Sequence, residues 1–357
     1  MSKIVFHKDE FLRIGDEWKR FFQGRLDKPM VYMGTVFSHF NEPKTKLAKG
    51  AFPMYPPEMG AEEIIDITDA CMGCRAYVGD TYPCMSLNFG PGSLSSYMGA
   101  RQEATDSIWF FPTAERLEDI PEKMDTDCWW YRRLHDILDA AVAKWASTPV
   151  QIGGSDMGNN LDILSELRDA SALAFDLVDN PELVKQKLRA ITEAWKQCYL
   201  REYEKIAPVT GYSTAALGAL SEKKTSRLQS DYGYMISPAM FEEFVLPDIR
   251  ALCDFLDDPC YHLDGIPQLQ HLPFIVNIPN IRAIEFVHGA GQKPPCEWTR
   301  VYQKIHKAGK QCLLWIRAQE AFDLKRAMGG TLRGFGLYVG DFMAVDDARD
   351  VYQQLIS

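Results

Sequence analysis

The chain has 357 residues, of which 46% are hydrophobic and 25% are charged, a composition typical of a globular protein with a sizeable core. It has no run of about eighteen consecutive apolar residues, and charges occupy the N-terminal positions where an export signal needs an apolar region. The formal net charge of -10, without a basic run, argues against nucleic-acid binding. We therefore expect a cytoplasmic protein with no membrane span, whose nine cysteines, odd in number and irregularly spaced, are reduced.

The N-terminal third has few regular patterns. They predict a helix over residues 8–24, a first strand over 30–33, loops over 38–60, and a strand that begins at Cys84 and ends at Asn88. Cys71 and Cys74 form a lone C-x-x-C pair at the end of an acidic helical stretch. Structural zinc needs two further ligands at comparable spacing, and a redox pair usually follows a strand, so we interpret these residues as buried helix cysteines.

The rest of the chain alternates between helical and strand patterns. Helices are predicted over residues 129–146, 161–169 and 181–206, with a buried strand over 150–156 that has a polar end at Asp156. In the final third, apolar runs end near His262, Val287, Ile316 and Tyr338, at separations of 25, 29 and 22 residues. Each separation fits one strand, one loop and one covering helix.

These repeats predict an α/β fold, a single (β/α)8 TIM barrel with an irregular N-terminal extension. The barrel domain would span residues 1–357, with a helix, the first strand and loops in 1–80 and the remaining units in 81–357. An open doubly wound sheet is the alternative. It normally has a glycine-rich phosphate turn after its first strand, and the sequence lacks one.

The carboxyl ends of barrel strands converge on one mouth, where active sites form. His262 and Asp264 are two residues apart on one strand, so both side chains lie on the same face. With Glu285 on the next strand they could form a three-ligand open metal site. Two other interpretations are a histidine–aspartate hydrogen bond that braces the strand end, and a metal-free site with His262 as acid or base.

Further polar and aromatic residues are candidates for catalysis or substrate binding. Asp231 is either a loop cap or a substrate-binding carboxylate, and the aromatic segment around Trp109 either packs in the core or forms an active-site wall. The predicted catalytic set is His262, Asp264 and Asp231, and the predicted substrate-binding set is Asn88, Trp109, Asp156, Gln229, His288 and Tyr338.

Several segments together resemble the uroporphyrinogen-decarboxylase-like superfamily. The first is Ser155-Asp156-Met157-Gly158 followed by Leu161-Asp162-Ile163-Leu164, and the second is the helix start Ile236-Ser237-Pro238. The third, Tyr261-His262-Leu263-Asp264-Gly265, stands where that superfamily has an H-x-C/D-G strand end. The resemblance covers roughly residues 80 to 345 and is specific in combination only.

The resemblance favours the methyltransferase branch of that superfamily over its decarboxylases. Decarboxylases have an arginine-rich segment after the first strand to bind a polyanionic substrate, and residues 33–40 contain no arginine. The methyltransferases bind zinc with a His-x-Cys pair, a glutamate on the next strand and a distal cysteine. Here His262 and Glu285 match, but Asp264 replaces the first cysteine, and Tyr338 or Asp341 stands near the second. A site with more oxygen ligands suits an O-methyl or N-methyl substrate.

The resemblance thus implies a methyltransferase that moves a methyl group between a small methylated substrate and a corrinoid protein or a folate, with zinc at the site. The chain lacks a D-x-H-x-x-G cobalamin signature, so a corrinoid would be bound non-covalently on a separate protein. Two alternatives are a decarboxylase or lyase that acts on a small carboxylic acid, and a non-catalytic barrel that binds a small molecule. Aromatic residues in the N-terminal third are consistent with a homodimer.

Overall fold

The computed structural model describes residues 4–37 and 43–357. Residues 38–40, the end of the run without arginine, lie outside the described residues. The helices are α1 Lys8–Phe22, α2 Ala61–Gly73, α3 Ser93–Tyr97, α4 Trp129–Trp145, α5 Asn160–Arg168, α6 Ala170–Asp179, α7 Pro181–Thr210, α8 Pro238–Met240, α9 Leu246–Phe255, α10 Leu272–Val276, α11 Thr299–Lys307, α12 Ala318–Ala327 and α13 Val345–Ile356. The strands are β1 Met30–Val36, β2 Cys84–Ser86, β3 Arg101–Ala104, β4 Ile108–Phe111, β5 Gln151–Gly153, β6 Ser213–Thr214, β7 Leu220–Ser221, β8 Arg227–Leu228, β9 Cys260–Asp264, β10 Ala283–Val287, β11 Gln311–Ile316 and β12 Phe335–Met343.

The main sheet is a curled half-barrel of six parallel strands in the order β1-β12-β11-β10-β9-β8. The strands β2 and β5 form a separate parallel pair. The predicted α/β class and the parallel strands are confirmed, but the predicted closed barrel is confirmed only in part. Among the described residues, no ladder of backbone hydrogen bonds joins the pair to the six-stranded sheet.

The gap next to β1 is filled by side-chain hydrogen bonds in place of a strand ladder. The backbone N–H of Val31 donates to Asp80 Oδ2 at 2.9 Å, and the N–H of Met33 donates to Thr81 Oγ1 at 2.7 Å. These buried donors on β1 are therefore satisfied by the segment before β2, which takes the place of strand pairing.

The second gap, between β5 and β8, coincides with an inserted hairpin. The strands β6 and β7 pair antiparallel, and β6 lies beside β5, where a Cβ atom on Gly153 would be 3.0 Å from Thr214 Oγ1. The tip of the hairpin enters the lower part of the barrel, where Tyr82 donates a hydrogen bond to the Gly218 carbonyl at 2.8 Å. The hairpin thus occupies the place beside β5 that a longer β8 would take in a closed barrel.

Alternation along the strands sends successive side chains to opposite faces and so positions the mouth residues. On β9, Tyr261 and Leu263 pack outward in the large core beneath the helices, whereas His262 and Asp264 point inward. The amino ends of the strands are covered by α1, because Trp18 packs with Leu313 in a second apolar cluster. The interior is therefore closed at that end.

The helix bounds agree with the prediction within a few residues, but α6 was not predicted, and β1 and β12 extend further than expected. Cys71 is partly buried at the end of α2 and Cys74 is buried just after it, and neither forms a disulfide. None of the described helices combines the length and apolar composition needed to cross a bilayer.

Candidate active site at the barrel mouth

Two predicted residues, His262 and Glu285, face each other inside the barrel. The register of β9 and β10 places them side by side, and His262 Nδ1 lies 2.9 Å from Glu285 Oε2. The side chain of Glu285 is 4% exposed and that of His262 is 13% exposed, so water screens their interaction only weakly.

An ionic chain continues from Glu285 through Arg227 on β8 to Asp156, which follows β5. Arg227 Nη1 lies 3.7 Å from Glu285 Oε2, and its Nη2 donates a hydrogen bond to Asp156 Oδ2. Burial disfavours the charged guanidinium, but Asp156 and Glu285 outweigh it and raise the pKa of Arg227. Burial likewise favours a neutral Glu285, but His262 and Arg227 outweigh it and lower the pKa of Glu285. Both groups therefore remain charged.

The same contacts determine the protonation of His262. Burial opposes a charged ring, but the hydrogen bond and the charge of Glu285 outweigh burial and raise the pKa of His262 above 6.5. A carboxylate at Nδ1 accepts the N–H there, so the lone pair of the neutral ring lies on Nε2. The ring is thus oriented either to offer Nε2 to a metal or, when protonated, to donate a proton from it.

Two aspartates lie near His262 and complete a group that could hold a metal ion. Asp231, His262 and Asp264 each offer one ligand atom, and these atoms lie within 4.8 Å of one another. Asp231 is exposed, and the other two residues are partly buried. The sequence predicts Glu285 as the third metal ligand. In the structure Glu285 contacts His262 Nδ1, and Asp231 is the third residue of the group. One imidazole nitrogen and two carboxylate oxygens form a donor set that fits Zn²⁺ or a harder divalent cation.

Asp231 is held in place by the segment around it. Gln229, which is buried, donates from Nε2 to Asp231 Oδ2 at 3.3 Å. The backbone N–H groups of Asp231 and Tyr232 donate to the carboxylate of Asp162 on α5. Although the residue as a whole is exposed, desolvation of its carboxyl group raises the pKa of Asp231; the charge of His262 opposes this rise and that of Asp264 reinforces it. Burial and the charge of Asp231 also raise the pKa of Asp162 to about 7.

A further buried carboxyl lies behind this group. Burial raises the pKa of Glu166 on α5 to about 9, against the effect of a hydrogen bond donated by Ser95. Glu166 is therefore neutral at physiological pH and adds no charge to a mouth that already holds several carboxylates.

A cavity of about 440 Å³ opens beside the ionic chain, within the range of small-molecule sites. Tyr338 and Arg227 line it from opposite sides of the barrel, and Leu217 at the hairpin tip lines it as well. The cavity passes the gap between β5 and β8 and reaches α7. Its other lining residues include Ser86, Asn88, Asp156, Tyr199 and Glu202.

Aromatic side chains lie on the strands opposite the charged ones. Tyr338 stacks on Tyr32 with ring centroids 5.2 Å apart. Trp315, the strand partner of Tyr338, is on the same face of β11 as Leu313 and therefore points inward, yet it is 52% exposed. The interior thus has an aromatic wall on β1, β11 and β12 and a charged wall on β8, β9 and β10.

The remaining predicted substrate-binding residues differ in position. Asn88 lines the cavity, but its amide donates to the Gly50 carbonyl at 2.8 Å. His288 follows β10 in a loop and is partly buried. Trp109 lies on the β3–β4 hairpin, is 56% exposed, and is not among the residues that line the cavity.

Arg227 and Trp315 are the site residues that sequence reasoning missed. A signal existed for Arg227, because Arg227, Gln229 and Asp231 alternate and so share one face if the strand is extended. Trp315 lies within an apolar run whose pattern does not separate inward from outward positions.

Comparisons with known proteins support the fold. No protein-family model matches the sequence, and no curated protein matches it either. Among solved structures, a methyltransferase from Methanosarcina mazei superposes with a TM-score of 0.61 over 96% of this chain and 97% of that chain, at 12% sequence identity. At that identity the likeness shows a shared fold.

Proposed function

We propose that this protein transfers a methyl group between a small O-methyl or N-methyl substrate and a corrinoid carrier or a folate. The observation that carries the proposal is the group formed by Asp231, His262 and Asp264 at the barrel mouth. The full-length likeness to a protein named as a methyltransferase adds support from the fold. Thiol activation would call for cysteine ligands, but Asp264 stands in place of the first cysteine. Because oxygen ligands make a harder metal site, an oxygen or nitrogen substituent is the better target.

We further propose that Asp231, His262 and Asp264 bind a divalent metal, with zinc as the first candidate. When bound, the metal would act as a Lewis acid toward the substituent that carries the methyl group. Glu285 would serve as the hydrogen-bond partner that orients His262 instead of binding the metal itself. Without a metal, protonated His262 could donate its proton to the leaving oxygen or nitrogen.

The neighbouring cavity limits the substrate. Its size suits a small molecule, and Arg227 lies both in its lining and beside Glu285, the partner of His262. Trp315 does not line this cavity, but its exposed ring would offer an apolar surface at the mouth to the methylated part. Asp156 and Gln229 would orient polar groups. Arg227 lines the cavity, but Asp156 and Glu285 already neutralise it, which disfavours a lyase that needs a free cation to bind a carboxylate.

The test is methyl transfer to a free corrinoid. Zinc-loaded protein is mixed with cob(I)alamin and a panel of aryl methyl ethers and methylamines, and the methylated corrinoid is followed by its absorbance. We expect methylation with at least one donor, its loss in His262→Ala, and its retention in the control His306→Ala, whose ring binds the Gly334 carbonyl at the closed end of the barrel.

Three other outcomes would contradict the proposal. The first is no methylated corrinoid or folate with any donor in either direction. The second is release of carbon dioxide from a small acid, which would support the lyase. The third is ligand binding without turnover that is unaffected by His262→Ala, which would support a binding barrel.

A further inference from the structure

The segment that carries Asp231 is not held by strand pairing. β8 ends at Leu228, and the register of β8 with β9 covers Arg227 and Leu228 alone. The next residues, 229–232, run into the mouth beyond this ladder. Something else must fix them, because the Asp231 carboxylate lies close to His262 and Asp264.

Side chains from the start of α5 provide that support. Gln229 is held on both sides of its backbone, since its N–H donates to Asn159 Oδ1 at 2.9 Å and its carbonyl accepts from Asn160 Nδ2 at 3.0 Å. The N–H of Asp231 donates to Asp162 Oδ2 at 2.9 Å, and the N–H of Tyr232 donates to Asp162 Oδ1 at 2.7 Å. The Asp162 carboxylate thus accepts hydrogen bonds from two consecutive peptide groups, at Asp231 and the residue after it.

The two oxygens of Asp162 accept two backbone N–H groups, and these hydrogen bonds are charge-assisted when the carboxyl is ionised, as it is for the most part above about pH 7. Because the two oxygens bind adjacent residues, they restrain both the position and the rotation of the Asp231 peptide. Asp162 lies outside the metal-competent group, so its carboxylate acts on the site through the backbone.

We propose that Asp162 is a positioning residue for the metal site, which keeps the Asp231 carboxylate in reach of the metal held by His262 and Asp264. The proposal rests on the metal binding put forward above. It predicts that loss of Asp162 weakens metal binding even though no metal ligand is removed. Outer residues that orient ligands typically contribute ten- to hundredfold to metal affinity, so a loss of about that size is expected.

Zinc affinity of the full chain, measured by competition with a chromophoric chelator, tests the proposal. Asp162→Ala should bind zinc about ten- to hundredfold more weakly than the unaltered protein. Asp169→Ala is the matched control, because Asp169 also accepts two backbone N–H groups, from Ser171 at 2.9 Å and Ala172 at 3.1 Å, as the exposed cap of α6. The Asp169→Ala variant should be less stable than the unaltered protein but should bind zinc equally tightly.

A double mutant separates positioning from general destabilisation. If Asp162 acts through Asp231, then Asp162→Ala should have no further effect on zinc affinity once Asp231→Ala is present. Asp162→Asn retains one acceptor oxygen, so it should show an intermediate affinity, and it serves if the alanine variant does not fold.

The outcomes distinguish this inference from the proposed function. If the unaltered protein binds no zinc or other divalent metal, the metal site itself is wrong. If it binds zinc and Asp162→Ala binds it within about twofold as tightly, the positioning role alone is overturned. Equal losses in Asp162→Ala and Asp169→Ala would also overturn it.

Discussion

Replacing Glu285 with glutamine keeps the shape of the side chain but removes the charge beside the His262 ring. In the unaltered protein this charge outweighs burial and raises the pKa of His262. A hydrogen bond to a charged group contributes about 1.5 to 3 kcal/mol, and about 1.4 kcal/mol corresponds to one pH unit. Arg227 remains nearby and repels a charged ring. We therefore expect the midpoint of the His262 titration to fall by about one to two pH units in Glu285→Gln.

The assay is NMR titration of the histidine ring signals in protein freed of metal by a chelator, with the His262 signal assigned by His262→Gln. Glu202→Gln is the matched control, because Glu202 is a carboxylate of similar burial that lines the same cavity but binds Ser155. An unchanged His262 midpoint in Glu285→Gln, or an equal fall in Glu202→Gln, would refute the assigned electrostatic role of Glu285.

The same contact has a consequence for stability. Because the pKa of His262 is raised on folding, its contribution to the free energy of unfolding is complete below about pH 6.5 and is lost as the pH rises through the folded value. Glu285→Gln should therefore destabilise the protein more at about pH 5.5 than at about pH 8.5. Urea denaturation at the two pH values measures this difference.

Two further predictions concern stability away from the mouth. Asp248 on α9 is 6% exposed, and burial raises the pKa of its carboxyl to about 7. The neutral carboxyl suits this buried position, so the folded state loses stability as the pH rises through that value and the group becomes charged. Asp248→Asn should raise the free energy of unfolding by up to about 4 kcal/mol at about pH 8.5 and change it little at about pH 4, which urea denaturation can test. Gly218→Ala should cost several kcal/mol, because a Cβ there lies 2.7 Å from the Tyr32 ring, whereas Gly211→Ala, with a similar positive φ but open space, should cost only about 1 to 2 kcal/mol by thermal denaturation.

The sequence predicts the parts of the fold whose hydrophobic pattern extends over several residues. The helices α1, α4 and α7 and the four final strands follow from hydrophobic spacing. The β6–β7 hairpin has strands of two residues, too short to show alternation, so the gap beside β5 was not predicted. At the gap beside β1, the backbone N–H groups of Val31 and Met33 donate to the side chains of Asp80 and Thr81, and such contacts leave no periodic signal.

The candidate site shows the same limit. The pair of His262 and Asp264 follows from local spacing on one strand. The approach of Asp231 depends on hydrogen bonds that the backbone N–H groups of Asp231 and Tyr232 donate to Asp162, a contact between distant segments that spacing does not reveal. Glu285 points inward, as its position on the adjacent strand predicts. Which nitrogen of the His262 ring it contacts follows only from the three-dimensional structure.

The central claim is that Asp231, His262 and Asp264 bind the metal used in methyl transfer. X-ray absorption at the zinc edge of the purified protein tests it most directly. The account predicts zinc with nitrogen and oxygen ligands at about 2.0 to 2.2 Å, and loss of this signal in His262→Ala. Protein that takes up no metal, or zinc bound by sulfur at about 2.3 Å, would contradict the account.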